Sequence, residues 1–398
     1  MINTDPEKIK EVLARGVVEI FEKETLLKKL QSGKKLRIKF GIDPTGPKIH
    51  LGRAIAFWKL RAFQDMGHQI VLIIGDFTAR IGDASDKDSM RKPLIEKEIK
   101  ENMKDYKKQI RKILDMKKVE VEYNNKWLGK MKVGDLLSLT MNFTAQQMIQ
   151  RRNFKERWDA SKPIGMHELL YPIFQGYDSL EINADVEIGG TDQLFNMQSG
   201  RIIQKMFGKP QQDIITLKML NGLDGRKMST SWGNVVTIID EPQDMFGKIM
   251  SMSDDLILDY FELCTKVSIE GLAEIKNKLA GGQNPRDIKA RLAREIVVMY
   301  HGKDAAEKAE KEFDSVFKNK DLPTDIPIFK TEKEKYPILD LLFDAKLTDS
   351  KSEAQRLVEG GGVEIEKQKI KDWKEEIKIK DGMIVRVGKR KFIKIIKN

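Results

Sequence analysis

Apolar residues recur along the chain with two periods, and the period changes where glycine and proline interrupt it. Residues 8–31 read as an amphipathic helix, with Ile9, Val12, Leu13, Val17 and Val18 on one side. Leu36-Arg37-Ile38-Lys39-Phe40-Gly41-Ile42 alternates apolar and polar positions, as a half-buried strand does, and Asp43-Pro44-Thr45-Gly46-Pro47 ends it. Residues 52–66 return to helical spacing through Ile55, Trp58, Leu60, Phe63 and Met66, with Gly67 as the stop. Ile70 to Ile74 is a continuous apolar run closed by Gly75-Asp76, the pattern of a strand buried on both faces of a parallel sheet. Strand, helix and strand within about 40 residues make a βαβ unit. The pattern recurs: Ile182 to Ile188 reads as strand, Gly189-Gly190-Thr191-Asp192 as its turn, and 193–206 as helix. These segments predict an α/β fold, a doubly wound Rossmann-like domain over roughly 33–225. Ligands of such sheets gather at the carboxyl ends of strands, here the loops 43–50, 75–83 and 189–193.

The pattern from about 240 to 320 is helical and charged. Asp321-Leu322-Pro323-Thr324-Asp325-Ile326-Pro327 reads as extended linker. In the tail, Ile338, Leu341 and Leu342 predict one short helix and Ser352 to Val358 a second. Gly360-Gly361-Gly362 then leads to strand-like Val363-Glu364-Ile365-Glu366, and Met383 to Val387 alternates. The expected organisation is a catalytic domain over 1–238 that includes the N-terminal helix, an α-helical domain over 239–322, a linker over 323–336 and a small α+β domain over 337–398.

A length of 398 residues suits two or three domains. No stretch approaches the ~18 consecutive apolar residues of a membrane span, and the first residues lack the apolar core of a secretory signal. One cysteine, Cys264, leaves no internal disulfide and fits a reducing cytosol, so the expected location is cytoplasmic. Four scattered histidines and one cysteine make a structural zinc site an unpromising reading. The net charge of +11 fits either a solvated Lys/Glu surface or a polyanionic partner. The tail carries 15 basic and 11 acidic residues over 337–398.

The chain has neither a GxxxxGK[ST] loop nor a GxGxxG loop, so phosphate binding through those loops loses its main support. The loop 43–52 offers another route. Gly41, Gly46 and Gly52 permit close backbone approach, a helix opens near residue 52 with N–H groups facing an anion, and His50 can donate to a phosphate oxygen. Lys227 lies on a Gly- and Ser-rich segment, Gly225-Arg226-Lys227-Met228-Ser229-Thr230-Ser231, that suits a mobile lid. Tyr171, Gln175 and Asp178 fall at i, i+4 and i+7, so all three share one helical face, and the Gln and Asp make that face a polar pocket.

The residues then carry a resemblance. Gly41-Ile42-Asp43-Pro44-Thr45-Gly46 with His50-Leu51-Gly52 resembles the HIGH motif of class I aminoacyl-tRNA synthetases in its tyrosyl form, and Lys227-Met228-Ser229-Thr230-Ser231 resembles KMSKS. His167 to Asp178 resembles the tyrosine pocket of the tyrosyl-tRNA synthetase family, and Ile188-Gly189-Gly190-Thr191-Asp192-Gln193 its ribose and carboxylate loop. Residues 337–398 resemble an S4 RNA-binding domain. The resemblance runs over almost the whole chain in the right order.

It implies a tyrosine–tRNA ligase that uses ATP, with Mg2+ bound on the ATP, and tRNA(Tyr) as partner. Thr45, His50, Lys87, Arg91, Lys227, Ser229 and Thr230 are then the expected catalytic residues. Gly41, Asp43, His50, Gly52, Arg53, Gly190, Asp192, Lys227 and Met228 are expected at ATP, with Asp192 on the ribose. Lys39, Asp83, Tyr171, Gln175, Asp178 and Gln193 are expected at tyrosine. Tyr171, Gln175 and Asp83 hold the ammonium, and Asp178 accepts from the phenol. In the tail, Lys351, Arg356, Lys389, Arg390 and Lys391 are the expected RNA contacts. The helical stretch 239–322 becomes the expected anticodon-binding domain, and relatives imply a homodimer.

Three positions depart from the family pattern: Arg53 for the second histidine of HIGH, Thr230 for the second lysine of KMSKS, and Lys39 where many relatives carry a tyrosine that reads the phenol. A non-catalytic RNA-binding paralogue and a tryptophanyl enzyme are the alternatives. Elsewhere packing or surface roles are expected: His68 as a cap or surface residue, His301 in the helical domain with no partner visible from sequence, Cys264 as a buried apolar group, and Trp58 and Trp158 as packing. Arg151, Arg152, Lys155 and Arg157 read as a solvated helix face, with the tRNA acceptor stem as the other reading.

Overall fold

The computed structural model describes the chain except residues 1, 84–93, 230–231, 319–325, 367, 389–390 and 398. Its contacts divide it into two units, Met1–Asp240 with Met252–Ile288, and Glu241–Ser251 with Lys289–Asn398.

The first unit is built on six strands: β1 (Val17–Phe21), β2 (Arg37–Ile42), β3 (Gln69–Ile74), β4 (Val119–Tyr123), β5 (Val186–Gly190) and β6 (Asp213–Leu217). They lie in the order β1-β6-β5-β2-β3-β4. β6, β5, β2, β3 and β4 run parallel, and β1 pairs antiparallel with β6 at the edge. The chain winds outward from β2 through β3 to β4, then crosses to β5 and β6. The order therefore reverses between β2 and β5, the switch point at which such sheets bind ligands. The pairing of β2 with β5 ends at Lys39↔Glu187, so their carboxyl ends part and leave a crevice. Apolar side chains of β3, from Ile70 to Ile74, are all buried, as their uninterrupted run predicts.

Several expectations are corrected. Residues 8–31 are not one helix but helix Pro6–Ala14, strand β1 and helix Lys23–Gln31. The strand expected from Ile182 begins at Val186, because the preceding helix runs to Glu181. β1, β4 and β6 were not anticipated. His68 is buried, 3% exposed, and its Nδ1 accepts from the Leu36 amide at 3.3 Å. Trp158 is exposed. Cys264 is buried, as expected. The helices Ile257–Cys264 and Ile269–Ala280 fall in the first unit.

In the second unit, helices Pro242–Met250 and Lys303–Lys318 pack together, with Phe246 and Phe313 rings 5.4 Å apart. The stretch expected as linker contains two strands, β7 (Ile328–Thr331) and β8 (Lys335–Pro337). They join the tail strands β9 (Val363–Ile365), β10 (Gln368–Ile370), β11 (Glu376–Lys378), β12 (Ile384–Val387) and β13 (Lys391–Lys397). The five-stranded sheet runs β10-β9-β12-β13-β7, and β11 pairs with β8. Helices Ile338–Asp344 and Lys351–Glu359 close a core of Ile338, Leu341, Leu342, Val358, Val385 and Ile395.

Candidate active site

The loop leaving β2 forms one wall of the crevice. Asp43 accepts from Thr78 Oγ1 at 2.7 Å and from Tyr171 Oη at 2.9 Å. Arg53 donates to Thr45 Oγ1 at 2.5 Å and to Tyr106 Oη at 3.1 Å, and Tyr106 Oη donates to Gly46 O at 2.6 Å. Asn102 Nδ2 donates to Pro44 O at 2.9 Å, and Gln109 bonds Pro47 O at 2.7 Å and the Ile49 amide at 2.8 Å. Three side chains from residues 102–109 thus fix a loop whose own glycines and prolines cannot. A Cβ at Gly41 or Gly46 would meet no heavy atom within 4 Å, so both face open space. Helix Leu51–Asp65 opens with no side-chain cap and no acidic residue in its first turn, leaving its N-terminal dipole uncompensated by the side chains there.

His50 precedes that helix. Burial, and then the charge of Arg53, hold its pKa down at about 3, so the imidazole is neutral. Its Nδ1 is buried without a hydrogen-bond partner.

The second signature segment reaches the same helix end. A Cβ built at Gly52 would lie 2.9 Å from Met228 Sδ and 3.2 Å from His50 Nδ1. Only glycine lets Met228 rest there. Asn234 organises the segment: Nδ2 donates to Lys227 O at 3.0 Å and Asp224 Oδ1 at 2.9 Å, and Oδ1 accepts from the Ser229 amide at 2.8 Å. Arg226 pairs with Asp224 at 2.6 Å and lies over the Trp232 ring. Hydrogen bonds from Asn234 and Arg226 hold the Asp224 carboxyl down at about 2. Lys227 is exposed. Thr230, Lys87 and Arg91 lie outside the described residues.

Helix Met166–Glu181 forms the opposite wall. Its N-terminus is fixed by a buried pair: Arg157 bonds Glu168 at 2.9 and 3.0 Å, and Glu168 accepts the Gly165 amide at 2.8 Å. Arg157 is therefore buried, and Arg151 is also largely enclosed, 3.8 Å from Asp83. This corrects the solvated-face reading at both positions. Tyr171 and Asp178 are buried and Gln175 half-buried on the face the spacing predicted. Gln175 Oε1 accepts from Asn196 Nδ2 at 3.0 Å, which also donates to Gln193 Oε1 at 3.0 Å. Gln193 donates to Asp83 at 2.6 Å and to its neighbour Asp192 at 3.2 Å. Asp83, Gln193 and Gln175 are thus joined through Asn196, with Gly190 and Asp192 adjoining. Asp178 accepts from Trp127 Nε1 at 2.8 Å and Asn124 Nδ2 at 3.2 Å. Burial pushes its pKa up to about 7.

Lys39 departs from expectation. It is fully buried, paired with Glu187 at 2.8 Å and bonded to Gln175 O and Ser179 Oγ, each at 2.7 Å. It lies beneath the pocket rather than facing a ligand in it. Asn124, Trp127, Tyr106, Asn102, Gln109, Asn196 and Asn234 also shape the site, and sequence reasoning named none of them. They belong to no motif; only their positions after a strand, on neighbouring helices or, for Asn234, in the loop beyond the second signature segment place them. A cavity of about 540 Å³ lies elsewhere, lined by Arg37, Glu120, Glu122, Lys126 and Trp127 among others. Four of its charges pair with one another, Arg37 with Glu120 at 2.7 Å and Lys126 with Glu122 at 3.0 Å, and none of the signature segments lines it, so the crevice and not this cavity is the candidate site.

In the tail, Lys351 pairs with Asp340 at 2.5 Å, Arg356 is exposed, and Lys391 donates to Leu347 O at 2.8 Å. Lys389 and Arg390 lie outside the described residues.

A parallel sheet with a glycine-lined crevice at its switch point, an uncapped helix N-terminus on one side and a polar pocket on the other defines a nucleotide-binding α/β protein. Comparison with known proteins makes it particular. Residues 30–318 match the family described as tRNA synthetases class I (W and Y), and residues 319–395 the tyrosine--tRNA ligase SYY-like C-terminal domain. The chain is 45% identical to a tyrosine--tRNA ligase of Moorella thermoacetica, over 96% of this chain and 94% of that one. It is 44% identical to that of Thermotoga maritima, over 98% of both. A truncated mitochondrial tyrosyl-tRNA synthetase of Aspergillus nidulans shares the fold, with TM-score 0.64 at 20% identity, covering 78% of this chain and 93% of that one. The chain belongs to the class I tRNA synthetases and, within them, to the tyrosine–tRNA ligase family. The tryptophanyl and non-catalytic alternatives are not favoured.

Proposed function

We propose that the chain activates tyrosine with ATP, giving tyrosyl adenylate and pyrophosphate, and then transfers the tyrosyl group to the 3′ end of tRNA(Tyr). The observation that carries the reading is the hydrogen bond from Tyr171 to Asp43 at 2.9 Å, which joins the amino-acid wall to the phosphate wall. An amino acid bound on the first wall and ATP bound on the second would then meet carboxylate to phosphate.

The carboxylate attacks the α-phosphate and pyrophosphate leaves. The nucleophile is already ionised, so no protein base is needed; positioning and charge stabilisation supply the catalysis. His50 donates one N–H to the phosphates, the helix opening at Leu51 adds its dipole, and Thr45 with Arg53 flanks them. Lys227 and Met228, with Ser229, close over ATP, and Lys87, Arg91 and Thr230 meet the pyrophosphate. Asp43, Gly41, Gly190 and Asp192 line the nucleotide, with Asp192 on the ribose. Mg2+ arrives on the ATP phosphates as part of that substrate. Asp83, Tyr171 and Gln175 hold the ammonium, and Gln193 lies near the carboxylate. Asp178, fixed by Trp127 and Asn124, accepts a hydrogen bond from the phenol hydroxyl. A site that reads a hydroxyl rejects phenylalanine, because the analogue leaves a buried polar group unpaired.

Lys351, Arg356, Lys389, Arg390 and Lys391 of the tail, and the helices following residue 240, engage tRNA through its backbone. The functional form is a homodimer in a reducing cytoplasm. Tyrosine-dependent exchange of pyrophosphate into ATP tests the reading, with tryptophan as competitor. Exchange with tyrosine is expected; no exchange with any amino acid, or preference for tryptophan, would sink it.

A further inference from the structure

Lys39 and Glu187 stand opposite each other on neighbouring strands, and both side chains are enclosed. An ammonium has three donors. Those of Lys39 are taken by Gln175 O at 2.7 Å, Ser179 Oγ at 2.7 Å and Glu187 Oε1 at 2.8 Å. None remains for a substrate phenol. Glu187 is equally engaged, accepting from Gln175 Nε2 and Ser179 Oγ, each at 3.1 Å, and from Gln212 Nε2 at 2.5 Å. Gln175 and Ser179 bracket Asp178 within one helical turn.

We propose that the Lys39–Glu187 pair is a positioning device for phenol recognition: the pair holds the turn that carries Asp178, and its Lys39 ammonium favours the carboxylate form there, so Lys39 acts on tyrosine through Asp178 and not by contact. The inference rests on the assignment of Asp178 to the phenol.

The physical reason is the buried charge. A carboxylate out of water protonates unless a cation or strong donors oppose it. The direct partners of Asp178, Trp127 and Asn124 from beyond β4, are neutral. Thr78 and Asn196 add a hydroxyl and an amide nearby, bonded to Asn124 and Gln175. Among the described residues the titratable groups around it are Lys39 from β2, Glu187 from β5 and Tyr171 from its own helix, with Asp43 linked to it through Thr78 and Asn124, and Lys39 is the cation of this set. Burial raises the Asp178 pKa most; Lys39 is the largest influence lowering it, ahead of the two hydrogen bonds, and Glu187 raises it. Only the ionised form offers both oxygens as acceptors to Trp127, Asn124 and the phenol hydroxyl.

The test is kcat/KM for tyrosine in pyrophosphate exchange, followed through the neutral pH range in the wild type, Lys39→Met, Glu187→Gln and Asp178→Asn. The wild type should lose activity toward acid with an apparent pKa of about 7. Lys39→Met should move that limb up by about one pH unit or more, and Glu187→Gln should move it down. Opposite shifts from removing opposite charges do not arise from a merely loosened pocket. Asp178→Asn should remove the limb. If Lys39→Met does not fold, the downward shift in Glu187→Gln decides alone. If Asp178→Asn removes the limb while the other two leave it in place, the inference falls and the Asp178 assignment stands. A limb that survives in Asp178→Asn overturns the assignment, and the inference with it.

Discussion

In the proposed reaction His50 takes part as a neutral imidazole, because burial and then Arg53 hold its pKa at about 3. It therefore works as a fixed hydrogen-bond donor and not as a cation or general acid. His50→Ala should slow pyrophosphate exchange by about 10²-fold, the usual loss for one donor to a developing charge. His50→Asn, which keeps an N–H, should lose less; equal losses would contradict the donor role. The shift also has a sign for stability. The folded pKa lies below the ordinary 6.5, so the favourable neutral form is fully present above 6.5 and its contribution is lost as pH falls toward 3. Urea midpoints compared with His50→Asn through that range should converge on acidification. Single residues were legible where a motif names them, as His50 and Lys227 are. Lys39 was not, since alternation along β2 shows a polar position but not the Glu187 that the β5 register brings opposite it. Trp127 and Asn124 carried no signal at all, because what recruits them is their place just beyond the end of β4, facing Asp178, and not a spacing.

At the scale of elements, the βαβ unit over 37–74 was legible because its apolar periods are long and bounded by Gly and Pro. The first helix failed for a physical reason. Gly16 has φ +61° and Glu22 φ +65°, two left-handed residues that turn the chain into and out of β1, and helical periodicity runs through both unaware. β6, the partner that makes β1 a strand, lies far away in sequence. The tyrosine-side helix Met166–Glu181 is set by close packing on helix Leu194–Met206. A Cβ at Gly176 would lie 2.8 Å from Ser199 C and 2.9 Å from Gly200 N, both backbone atoms. Gly176→Ala gains helix propensity of about 1 kcal/mol but forces the helices apart, at a cost of about 1–3 kcal/mol. The expected result is unchanged or lower stability with a raised KM for tyrosine and little change in KM for ATP. A more stable variant with normal tyrosine KM would show that this contact does not set the pocket.

At the scale of the whole molecule, the tail and an apolar surface of the first unit each bear on function. The tail packs around its own core, from Tyr336 to Ile395, so deleting 337–398 should spare tyrosine-dependent exchange and impair tRNA charging; loss of exchange would argue otherwise. The other feature is apolar surface. Helix Val133–Thr140 carries Val133, Leu137 and, just past its end, Met141, exposed by 76%, 60% and 85%. They recur at i, i+4 and i+8 and so make one stripe. Asn142 bonds Met206 Sδ at 3.0 Å, and Met206 and Phe207 are themselves 40% and 49% exposed, which extends the patch. A contiguous apolar surface of this kind needs a cover in water. In the proposed homodimer a second copy of the chain, meeting the same stripe about a two-fold axis, would supply a self-complementary one. Leu137→Glu places a charge at the centre of that contact and touches nothing in the crevice. Analytical ultracentrifugation should find the wild type dimeric and Leu137→Glu monomeric, with the variant's circular dichroism unchanged. A wild type that sediments as a monomer, or a variant that remains a dimer, would remove the stripe as the subunit interface.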